Sequence, residues 1–175
     1  MNLKLKNEEL GRLSVEEFIS SEKNTVTVVL DNVRSLNNVG SVFRTADAFL
    51  IEAIILCGVT GTPPNKEIEK TALGATATVK WTYASTTLEA IESLRNNGYA
   101  LYAVEQANQS ISLKNFKTDT EKIALIFGNE VYGVEQEIVS KCDGVIEIPQ
   151  FGTKHSLNIS VSVGIVLWEI IKDRL

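Results

Sequence analysis

The sequence predicts an α/β protein built on a mainly parallel sheet flanked by helices. Short runs of β-branched and apolar residues, such as Val26–Leu30, Ala53–Cys57, Ala100–Val104 and Ile123–Phe127, alternate along the chain with segments of helical spacing. These runs are continuously apolar rather than alternating, as strands covered on both faces require. Strand-helix alternation of that kind places the strands side by side in one sheet with the helices packed on it.

Residues 1–24 read as an N-terminal helical extension, with a polar helix from about Asn7 to Ser20, and residues 25–175 as the main domain. After strand Val26–Leu30, Asn37 or Asn38 supplies a helix N-cap, and Val39, Val42, Phe43, Ala46 and Phe49 repeat at helical spacing. Strand Ala53–Cys57 follows. Gly61-Thr-Pro-Pro-Asn65 is a loop because two prolines and a glycine exclude regular structure. Glu67–Leu73 forms a helical turn, Val79–Tyr83 a short strand and Thr87–Arg95 a helix stopped at Asn96-Asn97-Gly98. Strand Ala100–Val104 leads into a polar stretch ending at Lys122. Strand Ile123–Phe127, helix Val134–Lys141, strand Val145–Ile148 and a final helix capped by Ser156 complete the chain. That helix is apolar nearly all round, so it is buried on several sides.

Composition narrows the functional classes. A chain of 175 residues with 44% hydrophobic residues and three prolines is a folded domain rather than a disordered one, and this length buries about 70% of the unfolded surface. Met1 to Ser20 is rich in Glu and Lys and lacks an apolar signal core, so a cytoplasmic location is expected. The apolar stretch Leu157–Ile171 carries Asn158 and Glu169 and falls below the roughly 18 residues that a membrane span needs. Cys57, Cys142 and the single histidine, His155, cannot make a CxxC-type zinc site, and no metal is expected. Cys57 ends a strand-like run and reads as core, and His155 as a bystander or a substrate contact. The net charge of −5 runs against nucleic-acid binding unless a local patch dominates. Lys4, Lys6, Arg12, Arg34, Arg44 and Lys154 are the candidates for one.

Three segments carry chemistry. Asn38 and Arg44, six residues apart, lie on the helix after the first strand, with Asn37, Ser41 and Arg44 on the face opposite its apolar residues. Gly128, Glu130 and Gly133 follow the strand Ile123–Phe127. Ile148-Pro149 precedes a polar loop that ends at Ser156-Leu157-Asn158. In this order, over roughly residues 26 to 172, the three segments resemble the motifs of the SpoU (TrmH-like) branch of the SPOUT RNA methyltransferases. The resemblance implies a C-terminal trefoil knot, a homodimer, and methyl transfer from S-adenosylmethionine to a ribose 2′-hydroxyl of RNA. Leu157, Val161, Ile165, Trp168 and Ile171 give the last helix more apolar surface than one small sheet covers, so the dimer interface is expected to include it. It implies tRNA as the substrate, with ribosomal RNA as the alternative. The cofactor is expected to touch Val104, Glu105, Gly128, Ile148, Ser156 and Leu157, where Gly128 lets main chain approach the ligand.

Arg44 is expected to act at the 2′-oxygen, with Asn38, Glu130, Ser156 and Asn158 completing the catalytic set. A guanidinium is never deprotonated in proteins, so Arg44 acts as a fixed cation rather than as a base. Asn38 and Glu130 are expected to orient Arg44 and the RNA backbone, and Ser156 and Asn158 to bind phosphate at the helix start. The plainer reading of Arg44 pairs it with Asp47 or Asp31. Two further classes stand beside the enzyme: a non-catalytic RNA-binding descendant, and a nucleotide or flavin binder. The latter is weakened by the lack of a Gly-x-Gly-x-x-Gly turn after the first strand.

Overall fold

The computed structural model describes residues 1–172. Its frame is seven strands, β1 (Asn24–Asp31), β2 (Ile51–Cys57), β3 (Trp81–Ala84), β4 (Ala100–Val104), β5 (Ile111–Ser112), β6 (Ile123–Phe127) and β7 (Gly144–Glu147). They form one sheet in the order β3-β2-β1-β6-β4-β7-β5, and every pairing is parallel. The helices are α1 (Val15–Ser20), α2 (Leu36–Ala48), α3 (Lys66–Ala72), α4 (Thr87–Asn96), α5 (Gln136–Lys141) and α6 (Ile159–Ile171). The sheet follows from the sequence. β1 and β6 are buried along nearly their whole length because both faces are covered.

Alternate residues of β1 divide between two cores, as the twofold side-chain period requires. Val26, Val28 and Leu30 pack with α2, α3 and α6 on one face, while Val29 packs with α4 and α5 on the other. α2 and α6 run side by side in the same direction. Asn158 meets Asn38, Thr45 faces Gly164, and the Phe49 and Trp168 rings lie 6.2 Å apart. α3 packs on α2 at Gly40, where a Cβ would stand 2.1 Å from Thr71 Oγ1 and 2.2 Å from the Ile68 carbonyl oxygen. No helix among the described residues is long and apolar enough to cross a membrane.

Several boundaries differ from the sequence expectation. The Asn7–Ser20 helix is a 3-10 turn, Asn7–Glu9, and the separate α1, with Gly11 between them at φ +59°. α1 starts late because Ser14 and Glu17 form a capping box at that point. α2 is capped by Ser35, whose hydroxyl accepts from the Asn38 amide, and not by Asn37 or Asn38. α6 is capped by Asn158, whose side-chain oxygen accepts from the Ser160 amide, so Ser156 and Leu157 lie before the helix. α5 begins at Gln136 rather than Val134. The polar stretch before Lys122 contains β5, which closes the sheet beside β7. β7 ends at Glu147, so Ile148 begins the following loop.

Candidate active site

The carboxyl ends of three adjacent strands, β6, β4 and β7, open into one cavity of about 550 Å³. Parallel sheets bind ligands at this edge. Val104, Glu105, Gly128, Ile148, Ser156 and Leu157, the expected cofactor contacts, all line the cavity. Glu130 and Asn158 line it as well, whereas Asn38 and Arg44 do not.

The loop after β6 is fixed by its own backbone. Asn129 and Gly133 exchange both of their amide–carbonyl hydrogen bonds, at 3.1 and 3.0 Å, and the Asn129 side-chain oxygen accepts from the amides of Val131 and Tyr132. Closing so tight a loop requires Gly128, where a Cβ would stand 1.8 Å from the Gly133 carbonyl carbon and 2.1 Å from the Val134 nitrogen. The chain's own main chain therefore requires glycine at 128. Gly133 has φ +68°, and a Cβ there would stand 2.0 Å from Glu105 Oε2. Glu105 braces the turn from β4, accepting from the Gln106 amide at 2.8 Å and the Val134 amide at 3.1 Å.

A line of side chains joins the three motif segments. Asn158 Nδ2 donates to Asn38 Oδ1 at 3.2 Å, and Asn38 Nδ2 donates to Glu130 Oε1, also at 3.2 Å. Glu130 further accepts from the amides of Ser35 (3.3 Å) and Arg34 (3.4 Å). Partial burial pushes the Glu130 carboxyl up, but hydrogen bonds from its own amide, Asn38, Arg34 and Ser35 outweigh this and hold it below the usual carboxylate range. Glu130 and Asn38 thus hold each other and the turn into α2, and within the chain neither is hydrogen-bonded to Arg44.

Arg44 stands on the exposed side of α2 and makes no ion pair or hydrogen bond among the described residues. Its alternative partners are engaged elsewhere. Asp47 accepts from the Thr78 hydroxyl at 2.5 Å, and the fully buried Asp31 accepts from Thr87, Asn32 and the Glu135 amide. Six residues of helix put Arg44 about 9 Å along α2 from Asn38, and Val161, Ile165 and Trp168 of α6 are exposed. Ile171, expected in the same apolar surface, is fully buried instead. Buried Cys57 keeps its thiol, pushed up to about 12 mainly by burial.

Sequence reasoning missed Gln106, Glu147 and Ser162 in the cavity wall. Gln106 Nε2 donates to the His155 carbonyl at 2.7 Å and ties the last loop to the end of β4. Only its position next to Glu105 could have pointed to it. No group of three or more potential metal ligands occurs among the described residues.

A parallel α/β sheet with a cavity at its carboxyl edge, walled by the loop that leads into the last helix, defines a ligand-binding class of fold. The SpoU rRNA methylase family model matches residues 25–168, and the chain belongs to that family. It is 34% identical over 154 residues to an uncharacterized tRNA/rRNA methyltransferase of Borreliella burgdorferi, covering 88% of this chain and 67% of that protein. Among solved structures it resembles the AdoMet-bound rRNA methyltransferase of Sinorhizobium meliloti, with a TM-score of 0.82, 30% identity and coverage of 88% and 58%. It also resembles the A. aeolicus TrmH/SpoU tRNA modifying enzyme, with a TM-score of 0.81, 27% identity and coverage of 91% and 80%. The chain spans about two thirds of the length of the curated relatives it matches.

Proposed function

We propose that the chain is an S-adenosylmethionine-dependent RNA methyltransferase that modifies a ribose 2′-hydroxyl, with tRNA as its substrate. The observation that carries this reading is the hydrogen-bonded line Asn158–Asn38–Glu130 at the edge of the cavity. It joins the three motif segments across more than ninety residues of chain.

The cavity suits the cofactor in size and chemistry. Its volume lies in the range of small-molecule sites. Val104, Ile148 and Leu157 offer apolar surface to an adenine, and the carboxylates of Glu105 and Glu147 offer negative charge to a ligand carrying sulfonium and ammonium groups. When bound, that cofactor supplies an electrophilic methyl group. The chain's own residues must then hold the ribose in line and stabilise its oxygen as the proton leaves to water or to a neighbouring phosphate. Glu130, Asn38 and Asn158 form the rigid floor on which a ribose–phosphate unit rests. Arg44 supplies the fixed positive charge beside the developing alkoxide.

Arg44 does not line the cavity of its own subunit, and Val161, Ile165 and Trp168 leave an exposed apolar stripe on the neighbouring helix α6. A homodimer formed on this α2–α6 face covers the stripe and presents Arg44 to the partner copy's cavity. The trefoil knot of the family fits a last helix that packs beside α2 after the loop from β7.

Ribosomal RNA is the second substrate reading, favoured by the likeness to the S. meliloti rRNA methyltransferase. Incubation with methyl-labelled S-adenosylmethionine and unmodified total RNA, followed by fractionation and nucleoside analysis, tests the proposal. Label in a 2′-O-methylnucleoside from tRNA is the expected result. Label in ribosomal RNA selects the second reading, and label on bases or none at all overturns the ribose assignment.

A further inference from the structure

Two aromatic side chains stand almost bare on loops that wall the cavity. Tyr132 is 79% exposed and lines the cavity, and Phe151 is 96% exposed beside Gln150, which also lines it. Their exposure is built into the fold rather than left by a slack loop. The turn carrying Tyr132 has its amides tied to Asn129 and needs the missing side chain of Gly128. The loop carrying Phe151 is anchored by Gln106 at the His155 carbonyl. A cation stands at the same edge. Arg34 is exposed, its side chain has no partner among the described residues, and its amide is hydrogen-bonded to Glu130, two residues before Tyr132.

Resting on the reading above, we propose that Tyr132 and Phe151 form a stacking platform for unpaired nucleobases of the RNA, with Arg34 gripping an adjoining phosphate. Rigid aromatic faces beside a free guanidinium match the two parts of a nucleotide. The pairing also accounts for RNA binding by a chain of net charge −5, because stacking supplies affinity that does not depend on an excess of lysine and arginine. Bases held in a duplex present no face to stack on. The platform therefore selects nucleotides in loops or single strands, and the target ribose belongs to such a nucleotide.

The test measures anisotropy of a short fluorescent, unstructured RNA oligonucleotide of mixed sequence, and of its fully paired duplex, on the full chain and its variants. The wild type is expected to prefer the single strand. Tyr132→Ala and Phe151→Ala should each weaken single-strand binding between about fivefold and a hundredfold while leaving duplex binding unchanged. Tyr132→Phe should restore it. Arg34→Ala should weaken binding to both RNAs and lower the slope of log affinity against log salt by about one. S-adenosylhomocysteine affinity, measured on the Phe151 and Arg34 variants, should stay at the wild-type value. Equal loss on both RNAs from the aromatic variants, or no loss at all, overturns the platform even if the wild type methylates RNA. A changed sedimentation coefficient in the aromatic variants assigns the two rings to a contact between copies and overturns it as well. Failure of the wild type to bind either S-adenosylhomocysteine or RNA removes the enzymatic reading itself, and the platform with it.

Discussion

Arg44 and Glu130 differ in what surrounds them, and that difference sets what their substitution should do. Glu130 is a brace, accepting from Asn38, Ser35 and Arg34 at 3.2 to 3.4 Å. Glu130→Gln keeps a carbonyl for Ser35 and Asn38 but turns an amide against the Arg34 N–H, a loss of about 1 kcal/mol. Arg44→Ala removes an unpaired cation that the fold does not use, so its effect should fall on methylation rather than on melting temperature. Loss of one preorganised electrostatic group costs at least about a hundredfold in turnover, so Arg44→Ala should be the more damaging of the two when turnover and melting are measured together. The Glu130 carboxyl titrates below its usual range. Its contribution to stability is thus present above the unfolded value and lost as pH falls through the folded one. Turnover between pH 6 and 9 should show no inflection from this group. Cys57 behaves oppositely. Burial first, with Asp31 adding and the Thr87 hydrogen bond opposing, raises its thiol from 9.0 to about 12. The fold holds that proton longer than the unfolded chain, so stability falls as pH rises above 9, and Cys57 should resist a thiol reagent at pH 8 until the protein is unfolded. Rapid labelling of Cys57 in native protein would contradict this placement.

The elements most legible in the sequence are the strands whose both faces are buried. β1, β2, β4 and β6 are marked by unbroken apolar runs, and their parallel pairing follows from the helices between them. β5 was illegible because two residues make no pattern. The caps were misplaced by position, not by type. Ser35 and Asn158 are capping residues, but Asn38 and Ser156 compete with them within three residues, and only tertiary contacts decide between them. Asn38 does not cap because its side-chain oxygen accepts from Asn158, a contact 120 residues away in sequence that no local spacing encodes. The same limit hid the reason for Gly128. The clash with Gly133 and Val134 is between main-chain atoms, which cannot move aside as a flexible side chain would. Gly128→Ala should therefore displace the whole 129–133 turn. An overpacking cost of about 2 kcal/mol corresponds to a fall of roughly 4–8 °C in melting temperature for a chain of this size. Calorimetric affinity for S-adenosylhomocysteine should drop with it, since the turn walls the cavity. A variant that melts and binds like the wild type would show that the turn is not the rigid support described.

At the scale of the whole molecule, one surface is unfinished. Val161, Ile165 and Trp168 are exposed along α6, Trp168 by 51%, and the unpartnered Arg44 stands exposed on α2. In the dimer proposed above, a second copy on this face covers the stripe and Arg44 of one subunit serves the cavity of the other. The sequence disclosed the apolar girth of the last helix but not which of its residues stay outside. Ile171 is swallowed by the core, while Leu157 lies before the helix at the cavity wall. The decisive measurement is methyl transfer by a tandem-purified mixed dimer with Arg44→Ala in one subunit and Asn158→Ala in the other. Each parent homodimer should be inactive. In the mixed dimer the subunit with intact Asn158 receives Arg44 from its partner, so one of two sites is complete and about half of the wild-type turnover should return. A mixed dimer as inactive as its parents would contradict the arrangement and place Arg44 in the service of its own subunit.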